Sequence, residues 1–300
     1  MPMYGAIEAG GTKIICMVAE SKNNVVERCQ IPTSSPESTF PKIHAFFKKY
    51  VDRGLQDIGL ACFGPLELDR GSANYGMITS TPKPGWQNIN LKTKLQQALS
   101  VEVTIDTDVN AAGLGEYVWG AAKNVPAFIY VTIGTGIGGG AILNGIPYLG
   151  ISHPEMGHLY VPQDKSRDPF PGICPYHGNC FEGLASGPAL NDRWGPNFAD
   201  LPKNHVAWML ESEYISYALV AYICIFAPQQ IILGGGVMQQ KQLLPLIRLK
   251  VKELLNGYLS NSALNNLDKF IVPPKLGNDS GIFGALALAI NLRLDSEKTF

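Results

Sequence analysis

The sequence predicts an α/β chain in two lobes, on three observations. Its 300 residues exceed the roughly 250 at which a single core stops growing, so two lobes of about 100 to 200 residues each are expected. Strand-like apolar runs alternate with segments of helical period along most of the chain, the signature of an α/β fold. A glycine-tipped hairpin occurs near the start and again after residue 120, each copy opening an α/β half, which amounts to an internal repeat. The repeat sets the expected boundaries: residues 1–120 form the first lobe and 121–300 the second, with a hinge from Gly120 to Pro126.

Composition narrows the partner. With 24 Lys and Arg against 25 Asp and Glu the formal net charge is -1, which gives no broad pull toward nucleic acid or an acidic membrane. A small molecule is favoured. The first residues lack a basic region followed by a long apolar core, so no secretory signal is visible and a cytoplasmic protein is expected. The longest apolar region, Ile215 to Pro228, falls short of the roughly 20 apolar residues that span a bilayer and reads as a buried helix. Six scattered cysteines do not make a disulfide scaffold, and Cys16, Cys29, Cys62 and Cys224 read as core residues. The 32 glycines cluster, as they do where backbone approaches phosphate.

In chain order, Tyr4 to Glu8 reads as a strand, Ala9-Gly10-Gly11-Thr12-Lys13 as a turn and Ile14 to Val18 as the returning strand. Gly10 and Gly11 would let backbone N–H groups face an anion, with the Thr12 hydroxyl and the Lys13 cation beside them. The spacing fits neither a Walker loop nor a dinucleotide fingerprint, and alone it does not separate a phosphate loop from an ordinary hairpin. Val25 to Ile31 completes a meander, and Pro36 to Arg53 carries Ile43, Phe46, Phe47 and Tyr50 at helical spacing. A buried strand, Ile58 to Phe63, breaks at Gly64-Pro65, where a ligand could approach. Ser80 to Trp86 is a rigid loop leading to a helix from about Asn90 to Leu99.

Next comes Asp106-Thr107-Asp108-Val109-Asn110, between a strand at Val101 to Ile105 and a helix running to about Trp119. An acid at such a junction is often no more than a helix cap, yet strand ends are where open α/β sheets place ligand chemistry. The residues leave both meanings open.

In the second half Phe128 to Ile133 is a strand, Gly134-Thr135-Gly136 the glycine tip and Gly138 to Leu143 the return. Between Ser152 and Glu182 lie His158 and the run Cys174-Pro175-Tyr176-His177-Gly178-Asn179-Cys180. Two thiolates and two imidazoles suit a closed tetrahedral zinc site of structural type, the alternative being two buried thiols and loop histidines. His153 is an outside candidate for the same set. Phe181 to Trp194 is a helix interrupted at Ser186-Gly187-Pro188, and Ala207 to Phe226 is a long helix. Ile231 to Leu233 is a strand breaking into Gly234-Gly235-Gly236-Val237. Met238 to Leu259 reads as a helix kinked at Pro245 with a solvated basic face of Arg248, Lys250 and Lys252. A last apolar helix runs through Ile290. No low-complexity segment and no helix-turn-helix at the front is visible.

These residues resemble the ROK sugar kinases of the actin and heat-shock protein 70 superfamily. The likeness runs from Ile7-Glu8-Ala9-Gly10-Gly11-Thr12-Lys13 to Gly281-Ile282-Phe283-Gly284-Ala285, and the Glu155-Met156-Gly157-His158 run with the Cys/His loop is its most diagnostic part. Within the family, Thr81 to Trp86, Asp106 to Asn110 and Cys174 to Pro188 are similar to the bacterial fructokinases. The resemblance implies a two-lobed actin-like, ribonuclease H-like ATPase fold with an interlobe cleft and a zinc-stabilised loop. It implies transfer of phosphate from Mg-ATP to a hexose, with Asp108 as general base. Glu155, His158 and Glu182 would line the sugar side, with Asn110, Gly64 and Pro65 near it. Gly10, Gly11, Thr12 and Lys13 with Ile133, Gly134, Thr135 and Gly136 would take the phosphates, while Gly187, Pro188, Gly235, Gly236 and Val237 border the adenosine. The zinc set would be His158, Cys174, His177 and Cys180.

Two departures bear on this. Thr107 stands where many relatives carry Asn, which removes an amide able to bond a pyranose hydroxyl and argues against glucose. His177 stands near a third loop cysteine of relatives. The expected activity is a fructokinase making fructose 6-phosphate, as a homodimer; the alternatives are a glucose, mannose or N-acetylmannosamine kinase, or a sugar-responsive transcription repressor.

Overall fold

The computed structural model describes residues 2–290. The first sheet-forming stretch is β1 (Met3–Ala9), β2 (Lys13–Ser21) and β3 (Asn24–Pro32), followed by α1 (Pro36–Val51) and β4 (Leu55–Cys62). Next come α2 (Leu91–Leu99), β5 (Glu102–Thr107) and α3 (Asp108–Trp119). The second stretch opens with β6 (Ala127–Ile133), β7 (Ile137–Leu143) and β8 (Ile146–Pro147). After it come α4 (Phe181–Ala185), α5 (Gly187–Trp194), α6 (Val206–Phe226), β9 (Gln230–Gly234), α7 (Leu243–Leu255), α8 (Leu267–Phe270), β10 (Ile271–Val272) and α9 (Ser280–Ala289).

The chain divides into two compact units that are not contiguous in sequence. The first takes the chain up to Asn124, Ile142–Pro154 and the chain from Lys275 onward; the second takes Val125–Ala141 and Glu155–Pro274. The sequence division at residue 120 follows the order of the repeat, whereas the compact units exchange segments. Each sheet has the same permuted order, β3-β2-β1-β4-β5 and β8-β7-β6-β9-β10. In the first, β1 pairs antiparallel with β2 and parallel with β4, and β4 pairs parallel with β5. In the second, β6 pairs parallel with β9 and β9 with β10. The repeated hairpin therefore opens a repeated sheet.

In the first unit, α1 covers one face of the sheet with Ile43, Phe46, Phe47 and Tyr50, all buried. The other face takes α9, at a distance only glycine allows: a Cβ on Gly59 would stand 1.8 Å from the Ala285 carbonyl oxygen. Helix α9 also crosses α3 at van der Waals limits, since a Cβ on Gly284 would meet the Ala111 carbonyl oxygen at 1.7 Å and one on Gly115 the Ser280 carbonyl oxygen at 2.6 Å. Bare backbone against backbone fixes α3 tightly. In the second unit, α6 is long and apolar enough to cross a membrane by length and composition. Trp208, Tyr214, Ile215, Ala218, Leu219, Tyr222 and Ile223 are nevertheless buried in the core. The proline-rich segment before the cysteines is tied to this core by Asp168, which accepts from the Tyr214 hydroxyl at 2.5 Å and pairs with Arg193 at 3.2 Å.

Several sequence expectations are corrected. The helix read from Met238 begins at Leu243, so Pro245 falls in its first turn, where its missing N–H removes no intrahelical bond. Arg248 is not simply solvated: it donates to the Ile271 carbonyl and pairs with Asp268 at 2.6 Å. Cys224 is exposed and Cys29 only half-buried, while Cys16 and Cys62 are buried as expected. The strand before Asp108 is Glu102–Thr107, two residues later at its end than the apolar run. Strands β8 and β10, two residues each, are too short to leave a pattern.

Glu116 is the most heavily bonded buried acid described in the first unit. Fully buried, it accepts from Ala121 N (2.6 Å), Lys275 N (3.0 Å), Leu276 N (2.9 Å) and Ser280 Oγ (2.7 Å). It thus holds the end of α3 to the start of α9. Glu116→Ala orphans four donors and is expected to cost roughly 3 kcal/mol or more in urea unfolding with an unchanged slope; a loss below about 0.5 kcal/mol, the level of a surface change, would show that these bonds carry no weight.

Candidate functional site

The sequence-predicted residues fall into two sets, one in each unit. The first holds Gly10 to Lys13, Gly64, Pro65, Asp108 and Asn110; the second holds the rest.

At the end of β5 the ambiguity over Asp108 resolves. Thr107 is the cap, its Oγ1 accepting the Asn110 N–H at 3.1 Å. Asp108 is the first helical residue, and its Oδ1 accepts only the adjacent Val109 N–H, at 2.9 Å, among the hydrogen bonds described. Free of the capping role, the half-buried carboxylate has no cationic neighbour that lowers it; burial pushes it up to about 6. Glu8, near the end of β1, faces the same charge. Burial first and Asp108 second push its carboxyl up to about 7, with Lys13 and Arg28 opposing weakly. Its Oε2 is buried without a hydrogen-bond partner among the described residues. Two such carboxylates can hold a divalent cation, and an ionised Asp108 can accept a proton from an alcohol. Sequence reading missed Glu8, although an acid alternating inward with Tyr4 and Ala6 beside the first glycine turn was a usable signal.

Asn110 is buried, and its Nδ2 donates to Asp106 at 2.7 Å; burial pushes Asp106 up to about 6. The amide expected near a sugar is thus turned onto a neighbouring acid. The Gly64-Pro65 turn, joined by a cis bond, packs on His153. The Leu66 N–H donates to His153 Nε2 at 2.9 Å, and a Cβ on Gly64 would touch the ring at 3.4 Å. His153 therefore braces this turn, is grouped with the first unit and is not among the four clustered donors. Burial lowers its pKa, which keeps the ring neutral and Nε2 an acceptor. The first glycine hairpin closes with Gly10 N–H on the Lys13 carbonyl (3.0 Å), and Thr33 Oγ1 donates to the Gly10 carbonyl (2.8 Å). Nothing stands within 4 Å of where a Gly11 Cβ would be, so the tip is open.

The second unit draws its glycines into one cluster. Gly134 N–H bonds the Gly136 carbonyl at 2.9 Å, and Gly187 N–H bonds the Gly134 carbonyl at 2.7 Å. Gly235, at φ +95°, lies so close that a Cβ would stand 2.3 Å from the Ile133 carbonyl oxygen. Gly236 is open and Val237 buried beside Gly187. The Gly134 and Gly187 N–H groups are taken up by carbonyls, so what this cluster offers a ligand is the close approach that bare glycine backbone allows.

Below this cluster, His158 Nδ1 lies 3.7 Å from Cys174 Sγ and 3.5 Å from Cys180 Sγ, and His177 Nδ1 lies 3.6 Å from Cys174 Sγ. All four donor atoms fall within 4.8 Å of one another. Because Nδ1 of His158 is committed to the sulfurs, its Nε2 faces Glu182 Oε1 at 3.9 Å. Glu182 Oε2 in turn accepts the Ile137 N–H at 2.8 Å, tying the cysteine loop to the second hairpin. Glu155 is exposed, one turn before His158, whose N–H bonds its carbonyl at 3.0 Å.

A family model described as the ROK family matches residues 4–292. A relative from Bacillus subtilis (strain 168) is 47% identical over 288 residues, covering 96% of this chain and 95% of its own. The fructokinase of Zymomonas mobilis subsp. mobilis is 41% identical over 295 residues, covering 96% of each. Among solved structures, the ROK hexokinase of Thermus thermophilus superposes with a TM-score of 0.75 at 25% identity, over 96% of this chain and 98% of that one. The fold is thus the actin-like one expected.

The fold holds both acids protonated to higher pH than free side chains, so their charge appears late as pH rises. Carboxyl-detected NMR titration is expected to give midpoints of about 6 for Asp108 and about 7 for Glu8; midpoints near 4, the ordinary carboxylate range, would contradict the burial described.

Proposed function

We propose that this chain, which belongs to the ROK family, is an ATP-dependent fructokinase that converts fructose to fructose 6-phosphate. That it is a hexose kinase rests on relatives that are fructokinases at 40% identity and above over nearly the whole chain. The observation in the site that carries the reading is Asp108, a carboxylate at a strand end that Thr107 relieves of capping and that no cation neutralises.

Phosphoryl transfer passes through a loose transition state, so positioning and charge neutralisation matter more than a strong base. With a pKa of about 6, Asp108 is mostly ionised at neutral pH. It orients the attacking hydroxyl and takes its proton late. Glu8 is the carboxylate that would hold Mg2+, which would supply charge neutralisation at the ATP phosphates, and its unpartnered oxygen fits that demand. Gly10 to Lys13 and Ile133 to Gly136 take the phosphates, Gly187, Pro188 and Gly235 to Val237 border the adenosine, and Glu155, His158 and Glu182 bind the sugar. Asn110, Gly64 and Pro65 lie near the sugar in the same reading.

His158, Cys174, His177 and Cys180 fit zinc. Their sulfur to nitrogen separations of 3.5 to 3.7 Å match the roughly 3.6 Å edge of a tetrahedron with bonds of about 2.0 to 2.3 Å. Four protein donors leave no open position, so the ion's contribution is to fix the loop. His158 then presents Nε2 toward Glu182 with its tautomer set. A homodimer, which the family resemblance implies, belongs to the same reading.

Fructose follows from the fructokinase relatives and from Thr107, which offers no amide to a pyranose. A coupled ADP-release assay over fructose, glucose, mannose and N-acetylmannosamine is expected to give fructose the highest kcat/KM. A hundredfold preference for another sugar would overturn the choice, and sugar binding without turnover would favour a repressor. One zinc per chain is expected. Cys180→Ser should lose it and raise KM for fructose by about tenfold or more while ADP affinity stays within twofold; full zinc with unchanged KM would refute the role given to the loop.

A further inference from the structure

Lys83 is the cation that the reading above leaves without a task. Its loop is firmly built. Trp86 is fully buried, stacks edge-on against Phe63 at 5.4 Å and donates Nε1–H to the Ser34 carbonyl at 2.7 Å. The Lys83 N–H bonds Thr81 Oγ1 at 3.3 Å, and the Thr79 N–H bonds the Pro65 carbonyl at 2.8 Å. Pro82 and Pro84 on either side restrict the backbone further. This frame carries the half-buried side chain across to the first glycine hairpin, where Nζ donates to the Gly11 carbonyl.

The charge there is poorly served. Burial lowers the Lys83 pKa and no acid offsets it, and no carboxylate lies within ion-pair distance of it among the described residues. Its other neighbour is the Phe63 ring, 5.9 Å from Nζ. A single carbonyl and a ring face at this distance leave the half-buried ammonium without a counter-charge, which an anion would supply. The carbonyl it rests on belongs to the open tip at Gly11, where nothing stands within 4 Å of a Cβ position.

We propose that Lys83 is a catalytic residue: its ammonium leaves the Gly11 carbonyl to pair with the oxygens of the phosphoryl group in transfer. The proposal rests on the kinase reading above. In the step, the bond from the γ-phosphorus to the bridging oxygen breaks with its electron pair going to ADP, and the sugar oxygen bonds to that phosphorus. The hydroxyl proton passes to Asp108, and Lys83 keeps its protons throughout. Charge that spreads over the equatorial oxygens in the transition state meets a cation already carried to the hairpin by a rigid loop.

The test compares wild type, Lys83→Met and Lys83→Arg at saturating fructose and Mg-ATP, with melting curves to verify folding. Lys83→Met is expected to lose about 100- to 1000-fold in kcat, with KM for fructose within threefold and calorimetric ADP affinity unchanged, because ADP lacks the transferred group. Lys83→Arg should recover at least tenfold. A Lys83→Met kcat within threefold of wild type would overturn the assignment. So would a loss that Lys83→Arg reproduces in full alongside weakened ADP binding, which would make the residue a prop for the hairpin. Wild-type protein inactive on every hexose would instead sink the kinase reading and Lys83 with it, whereas an active wild type with an unaffected variant sinks Lys83 alone.

Discussion

The crossing of α3 over α9 at Gly115 and Gly284 sets where Asp108 can be. With no side chain between them, the two helices meet backbone to backbone, and Gly59 lets the same helix α9 rest on the sheet. The strand that delivers Asp108 pairs with β4 in register up to Cys62 and Thr107, so the acid is held from below by the sheet and from the side by the helix crossing. Thr107 takes the cap and Glu116 pins the far end of the helix to the chain entering α9. Rigidity of this kind lets a carboxylate stand half-buried with a raised pKa. Such a group opposes folding above its unfolded pKa, a cost of the sort that functional sites tolerate.

The second unit repeats the first unit's sheet and turns it to a different use. Its glycines bring Gly134, Gly187 and Gly235 into backbone contact, which leaves bare backbone where the first unit has its acids. Glu182 joins two regions here, accepting from the second hairpin and facing His158. A loop rich in proline has little of its own to fold around, and it is held at one end by the buried Asp168 and Arg193 pair and at the other by four donors spaced for one metal ion.

Much of this was legible in the sequence because the signals were local. A glycine turn between apolar runs, a Cys-x2-His-x2-Cys spacing and an acid ahead of small helix formers each report on a few neighbouring residues. What escaped depended on distance along the chain. The Glu8 environment is made by Asp108 and Gly281, the His153 environment by Leu66, and the Lys83 contact by Gly11. The start of α7 was misplaced because Pro245 suits a first turn as well as a kink, and only the packing of Leu243 and Ile247 decides between them. The exchange of segments between units has no local trace either, since α9 reads as an ordinary apolar helix until Gly59 and Gly284 find their partners.

The account stands on Asp108 as the group that takes the hydroxyl proton. The direct measurement is kcat for fructose phosphorylation by Asp108→Asn, with Mg-ATP and fructose binding followed by calorimetry on the same sample. The account predicts a loss of about 1000-fold or more, both ligands still bound, and a melting temperature no lower than wild type because a half-buried charge has been removed. Activity within tenfold of wild type would contradict it.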